Sequence, residues 1–511
     1  MLLKAVRGKG LGNKIDPNKG VTAFPVVCAD LTAGLSDELL LHVLSHVSDD
    51  PYPCSLVCKR WLRLHGMLKP SLKLKEWRFL ESGRMTTRFP NLADVDLSGA
   101  WLSSRSKPNK ILFTHNSITI NLCTNAYDPD SIERFIEDQQ VSPSSLDRGI
   151  KLLADNCPGL QRLCLIDVRR PTYNYNSFRR REVSKTNGVS PDLNDQYSQM
   201  DAKFNSNNVN EETNRQFSWQ QKVDVSPSGG LAYLAQKCPT LQELVLNQCT
   251  DESLYAISAF ENLQILRLVG TVSGFYHCTF TDVGLTILAK GCSRLVKLEL
   301  SGCEASYDGI SAIGQCCFML EELTLSNQGL YEGWIGALHF CGCLKTLRLE
   351  SCKQIDPIPG PSEHVQCCPA LEVLELVRCN LRDKAGFSAL VSVAASVKEL
   401  CFQDCWGLDD ETFKLLETCR QVRILSLEGC ALLTTGGLEA LVMNWKDLHT
   451  LRVVYCNSIK DTEITPALAL TFSTLKELKW RPDTKSLLAD CLLGTGVGQI
   501  GGKFFKRGGP S

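Results

Sequence analysis

Residues 238–249 read CPTLQELVLNQC, and three further stretches repeat the pattern: CSRLVKLELSGC at 292–303, CPALEVLELVRC at 368–379 and CRQVRILSLEGC at 419–430. Their shared frame is Cys-x-x-Leu-x-x-Leu-x-Leu-x-x-Cys. The Leu-x-Leu at its centre has period two, as a short strand with one buried face requires. Between copies lie stretches such as TDVGLTILAKGC (281–292) and TTGGLEALVMNW (434–445), whose apolar residues recur at helical spacing. Each unit therefore predicts a strand, a turn and a helix. No unit can bury its own apolar face, so neighbours must stack into a solenoid with all strands on one side.

Numbering the first leucine of the frame as position one, that position recurs at Leu160, Leu241, Leu263, Leu295, Leu320, Leu344, Leu371, Val397, Val422, Leu448 and Leu475. From Leu295 onward the intervals are 25, 24, 27, 26, 25, 26 and 27 residues. Weaker copies at Leu92 (LADVDLSGA) and His115 (HNSITINLC) bring the candidates to thirteen.

The same spacing accounts for most of the 25 cysteines. Cys123, Cys249, Cys303, Cys352, Cys379, Cys405, Cys430 and Cys456 stand at position nine. Cys157, Cys238, Cys292, Cys317, Cys341, Cys368 and Cys419 stand three residues before position one. Both are turn positions where a small apolar side chain with a weak S–H donor packs well. No secretory signal opens the chain and no Asn-x-Ser/Thr acceptor occurs in it. Reduced thiols in nucleus or cytoplasm are the expectation.

The strand motif, with a following helix that ends near Cys-Pro-x-Leu, resembles the cysteine-containing class of leucine-rich repeats over residues 90–480. The resemblance implies an α/β solenoid, a horseshoe with parallel strands on the concave face and helices on the convex face.

Residues 31–65, LTAGLSDELLLHVLSHVSDDPYPCSLVCKRWLRLH, do not fit the repeat. Leu35, Leu39, Leu40, Val43, Leu44 and Val47 predict an amphipathic helix with Ser36 as its N-cap. A break at Asp49-Asp50-Pro51-Tyr52-Pro53 precedes a second helix carrying Leu56, Val57, Trp61 and Leu64. This pair resembles an F-box, a small all-helical module that docks onto a Skp-type adaptor. Serine stands at 36 where that family usually has proline. The resemblance implies adaptor contacts from Leu35, Leu39, Leu40, Val43, Leu44, Val47, Val57, Cys58, Arg60 and Trp61. The alternative is a helical cap over the first repeat.

Together the two motifs resemble the F-box/leucine-rich-repeat proteins, especially those of plants. That resemblance implies the substrate receptor of an SCF-type ubiquitin ligase. The adaptor would link it to cullin and RING subunits, and the repeats would hold the protein to be ubiquitinated. Two other classes stay open: a repeat scaffold outside any ligase, and an F-box receptor gated by a small molecule.

Chemistry of the chain's own is not indicated. The histidines form no His-Glu-x-x-His pair, and there is no phosphate loop or nucleophile elbow. His339, Cys341 and Cys343 in HFCGC lack a matching Cys-x-x-Cys pair, so neither metal nor cofactor is expected. Gly496-x-Gly498-x-x-Gly501 lacks the strand and helix that a dinucleotide site needs. A formal charge of −1 argues against nucleic acid as a partner, and no apolar run reaches membrane-spanning length.

Specificity is expected on the strand face, where positions three, five and seven point. From its position-five row, Arg267, Glu299, Arg348, Glu375, Arg452 and Lys479 are the candidate substrate contacts. The resulting organisation is a basic tail at 1–30, the F-box module at 31–80, and the repeats at 81–480. A polar insertion spans 170–225, and 481–511 form a C-terminal cap and tail.

Overall fold

The computed structural model describes residues 32–47, 54, 56–98, 143–165, 228–247, 249–269, 280–303, 305–326, 332–484 and 486. The insertion at 170–225, the repeat copy at His115, the tail at 1–30 and the chain after 486 lie outside them. The chain divides into two compact units, one ending at Leu68 and the other beginning at Lys69.

In the first unit, helix α1 (Asp37–Ser45) starts where Ser36 Oγ accepts the Leu39 amide at 3.3 Å. Asp37 and Glu38 fill its first turn, where carboxylates favour the helix dipole. Helix α2 (Lys59–Met67) packs against it through a core of Leu40, Leu44, Cys54 and Leu64.

The second unit is one parallel sheet whose thirteen strands are neighbours in chain order. They are β1 (Ser71–Lys73), β2 (Asp94–Asp96), β3 (Arg162–Cys164), β4 (Glu243–Asn247), β5 (Ile265–Val269), β6 (Lys297–Ser301) and β7 (Glu322–Ser326). They continue with β8 (Thr346–Glu350), β9 (Val373–Val377), β10 (Glu399–Gln403), β11 (Ile424–Glu428), β12 (Thr450–Val454) and β13 (Glu477–Arg481). Leucines at frame positions four and six, such as Leu298 and Leu300, are fully buried. The helices that follow the strands stack on one another, as Asp282–Gly291 does on Tyr307–Cys316.

Among the described residues, twelve of the thirteen predicted copies form strands, and the His115 copy lies outside them. Strand β1 was not among the candidates, and its pairing with β2 places residues before 80 in the sheet unit. The short Ser-Leu-Lys strand lacks the frame's leading leucine and its cysteines, which is why the pattern did not single it out.

Two side-chain ladders tie each repeat to the one before. In the first, cysteine Sγ donates across the interface to a backbone carbonyl. Cys292 reaches Ile257 O at 3.4 Å, Cys317 reaches Cys292 O at 3.4 Å, and Cys405 reaches Leu376 O at 3.2 Å. No described cysteine is in a disulfide.

The second ladder was not foreseen. A first-turn aspartate of one helix accepts from the N-cap residue of the next. Asp282 accepts the Ser306 amide at 2.8 Å, the Ser306 hydroxyl at 2.6 Å and the Gly309 amide at 3.0 Å. Asp251 does the same for Thr281, and Asp410 for Thr434. Glycine is required opposite the carboxylate, because a Cβ on Gly309 would sit 2.2 Å from Asp282 Oδ1.

Among the described residues, position eight closes six strands, β6 and β8–β12, in the left-handed region. Gly302 and Gly429 occupy it without strain, but Ser351, Arg378, Asp404 and Tyr455 adopt φ between 50° and 57° there.

Candidate protein-docking faces

The first face belongs to the helical unit. Leu39, Val43 and Val47 are spaced by four, so they form one stripe along α1 and the turn after it. They are 57%, 46% and 46% exposed, and Leu56 and Val57 are 82% and 56% exposed. Five large apolar side chains facing solvent on so small a unit is the kind of patch that marks an interaction surface.

The structure corrects part of the predicted adaptor set. Leu40 and Leu44 are 0% and 3% exposed and build the unit's own core, so they have no surface to offer a partner. Leu35 and Trp61 are half-buried against that core, and Trp61 Nε1 donates to Thr32 Oγ1 at 3.1 Å. Arg60 acts as an internal staple: its Nε donates to Asp37 Oδ1 at 2.8 Å and its Nη1 to the Thr32 carbonyl at 3.0 Å. The Arg60 hydrogen bond holds the Asp37 carboxyl below its ordinary value. Cys58 is exposed at the start of α2. Of the predicted residues, Leu39, Val43, Val47, Val57 and Cys58 remain at the surface, and Leu56 joins them.

The second face is the strand face of the sheet. The predicted position-five row is a single row in register: Arg267 pairs with Glu299, Arg348 with Glu375, and Arg452 with Lys479 as Cα partners. Most of its charges satisfy one another. Arg267 Nε lies 3.3 Å from Glu299, Lys297 Nζ 2.6 Å from Glu322, and Arg348 Nη1 2.5 Å from Glu375. Arg378 likewise pairs with Glu350. Such half-exposed pairs contribute about 0–1 kcal/mol each, so they set charge pattern more than stability. Lys479 differs, being exposed and in no ion pair among the described residues.

The comparisons with known proteins agree with both motifs. The F-box protein MAX2 homolog A of Petunia hybrida is 26% identical over 312 residues, covering 52% of this chain and 41% of that protein. F-box/LRR-repeat protein 4 of Bos taurus is 24% identical over 217 residues, covering 41% of this chain and 34% of that one. The chain is thus similar to an F-box protein and to an F-box/leucine-rich-repeat protein. It spans less than half the length of either relative. No protein-family profile matches it. Among solved structures, an internalin of Listeria monocytogenes aligns with 51% of the chain and 78% of its own at 15% identity and a TM-score of 0.30. That likeness is too slight to bear on the fold, which rests on the strand register.

Among the described residues, no group of histidine, cysteine and carboxylate side chains could hold a metal ion. Cys341 of the HFCGC stretch is buried, Cys343 is exposed, and the His339 ring stacks on His364 at 5.3 Å. No described helix is long and apolar enough to cross a membrane.

Proposed function

We propose that the chain is the substrate-recognition subunit of an SCF-type E3 ubiquitin ligase, non-catalytic itself. In this reading the helical unit docks a Skp-type adaptor, and through it cullin and RING subunits. The repeats hold the protein to be ubiquitinated. The receptor's contribution is proximity: it raises the effective concentration of a substrate lysine near the conjugating enzyme's thioester. The cysteine ladders need reduced thiols, which fits a nuclear or cytoplasmic home.

The observation that carries the reading is the solvent-facing stripe of Leu39, Val43, Val47, Leu56 and Val57. Burying such side chains against a partner is worth about 1.5–3 kcal/mol each, and nothing in the unit's own core uses them. Co-purification of the full chain with a Skp-type adaptor tests it. Val43→Asp with Leu56→Asp is expected to leave folding intact and abolish capture. Undiminished capture by that variant would sink the assignment.

A further inference from the structure

We infer that the C-terminal end of the strand face, on β12 and β13, is a docking surface for an extended acidic segment of a partner protein. This deepens the receptor reading and rests on it. On β3–β9, strand-face cations meet carboxylates: Arg162 with Asp94 at 3.0 Å, Arg267 with Glu299 at 3.3 Å, and Arg348 with Glu375 at 2.5 Å. On the last two strands cations outnumber carboxylates. Arg452, Lys479 and Arg481 lie on one face, since Arg452 and Lys479 are Cα partners and Arg481 stands two residues on. Only Arg452 has a carboxylate, Glu477 at 3.0 Å. Lys479 and Arg481 are exposed and form no ion pair among the described residues.

The neighbouring strands give the surface a polarity. Glu399 on β10, Asp404 just after it and Glu428 on β11 likewise form no ion pair among the described residues. Between these acids and the cations, position five carries only Cys401 and Ser426, a low floor. Neighbouring strands stand about 4.8 Å apart, so Glu428 on β11 and the unpaired Lys479 and Arg481 on β13, two strands away, do not neutralise one another as adjacent-strand pairs do elsewhere. Two exposed aromatics follow these strands, Trp406 three residues past the end of β10 and Tyr455 immediately after β12. Tyr455 is held there in a left-handed backbone, with its amide on the Arg481 carbonyl at 3.0 Å.

Unsatisfied cations beside an exposed aromatic suit a segment that alternates carboxylates with an apolar side chain. A nucleic-acid backbone suits it poorly. Three cations with Glu477 and Glu428 beside them are too few and too mixed to track successive phosphates. The acids on β10–β11 repel an acidic segment and so confine it to β12 and β13.

The test uses the full chain and a fluorescein-labelled hexapeptide, Glu-Ser-Glu-Phe-Glu-Ser, read by anisotropy. Binding is expected to weaken about tenfold in Lys479→Glu with Arg481→Glu, which reverses two contacts. It should change little in Lys476→Glu, an exposed site off the strand face. Tyr455→Ala should weaken it about threefold, and raising salt from about 50 to 200 mM should weaken the parent chain. Equal binding by parent and double variant, or tighter binding of a labelled uridine dodecamer than of the peptide, overturns the inference. Adaptor capture is measured on the same preparations. Lost peptide binding with retained adaptor capture removes this inference alone, whereas a parent chain that never captures adaptor removes the reading beneath it.

Discussion

Asp282 shows what a single side chain does in this molecule. Its carboxylate receives three donors from the next repeat, and hydrogen bonds to a charged acceptor contribute about 1.5–3 kcal/mol each. Asp282→Ala is therefore expected to cost about 3 kcal/mol in urea unfolding, and Asp282→Asn distinctly less because one acceptor oxygen survives. Gly309→Ala should destabilise through the same contact, since its Cβ would fall 2.2 Å from Asp282 Oδ1. The sequence hides this ladder because the carboxylate also reads as an ordinary first-turn acid. Its partner is a whole repeat away. The thiols carry a second expectation. Burial pushes Cys292, Cys317, Cys341 and Cys405 up to about 12, and Cys157, Cys238, Cys368 and Cys419 to about 11. In the unfolded chain thiols ionise near 9, so between there and about 12 the folded state binds more protons and stability falls as pH rises. Each such thiol adds a slope of about 1.4 kcal/mol per pH unit. Scanning calorimetry should show the melting temperature steady below pH 9 and dropping steeply above it. A flat profile from pH 9 to 11 would contradict the burial. At neutral pH, iodoacetamide should label exposed Cys58, Cys343 and Cys367 before any frame cysteine.

At the scale of the element, strands were legible and helix faces were not. A Leu-x-Leu strand has two sides only, and the frame says which is buried, so the register of the position-five row could be written from the sequence. Helix α1 offers Leu39, Leu40, Leu41, Val43 and Leu44, apolar almost all round. Which stripe turns inward depends on where α2 lies, and no local pattern states that. The F-box resemblance implies adaptor contacts from Leu40 and Leu44, but both lie inside the unit's own core. The two kinds of residue are separable by experiment. Leu44→Ala should cost about 2–5 kcal/mol and unfold the small unit. Val43→Ala should leave its helicity unchanged in circular dichroism. Strand ends add a further test. A non-glycine residue in the left-handed region costs about 1–2 kcal/mol, while glycine gives back roughly 0.5–1 kcal/mol in chain entropy. Tyr455→Gly should therefore raise stability by up to about 1 kcal/mol while weakening acidic-peptide binding. A residue that stabilises when removed is strained for a purpose other than folding. Loss of stability on that substitution would instead make Tyr455 an ordinary packing residue.

At the scale of the whole molecule, the sheet unit is additive. Each repeat meets its neighbours alone, so stability is close to a sum of unit and interface terms. Strand β3 ends at Cys164 and β4 begins at Glu243, yet they are adjacent, with Arg162 opposite Glu243 and Leu163 opposite Leu244. The helices Pro143–Asn156 and Ser228–Lys237 pack together across the same gap, and Gly230 N donates to Asp147 Oδ1 at 2.8 Å. The junction of these repeats is thus built from described residues on either side of the insertion. Closing a chain between them costs only about 0.6 kcal/mol more for each doubling of length. Deleting residues 172–222 is therefore expected to change the melting temperature by no more than a few degrees, upward if at all. Adaptor capture, which the proposed function assigns to the other unit, should not change. Unfolding that becomes broad or begins at lower temperature would show that the insertion packs on the sheet unit and that its polar composition misleads. Unchanged melting with loss of substrate ubiquitination in a reconstituted ligase would give the insertion a different standing. It would then be a second recognition element on a scaffold that folds without it.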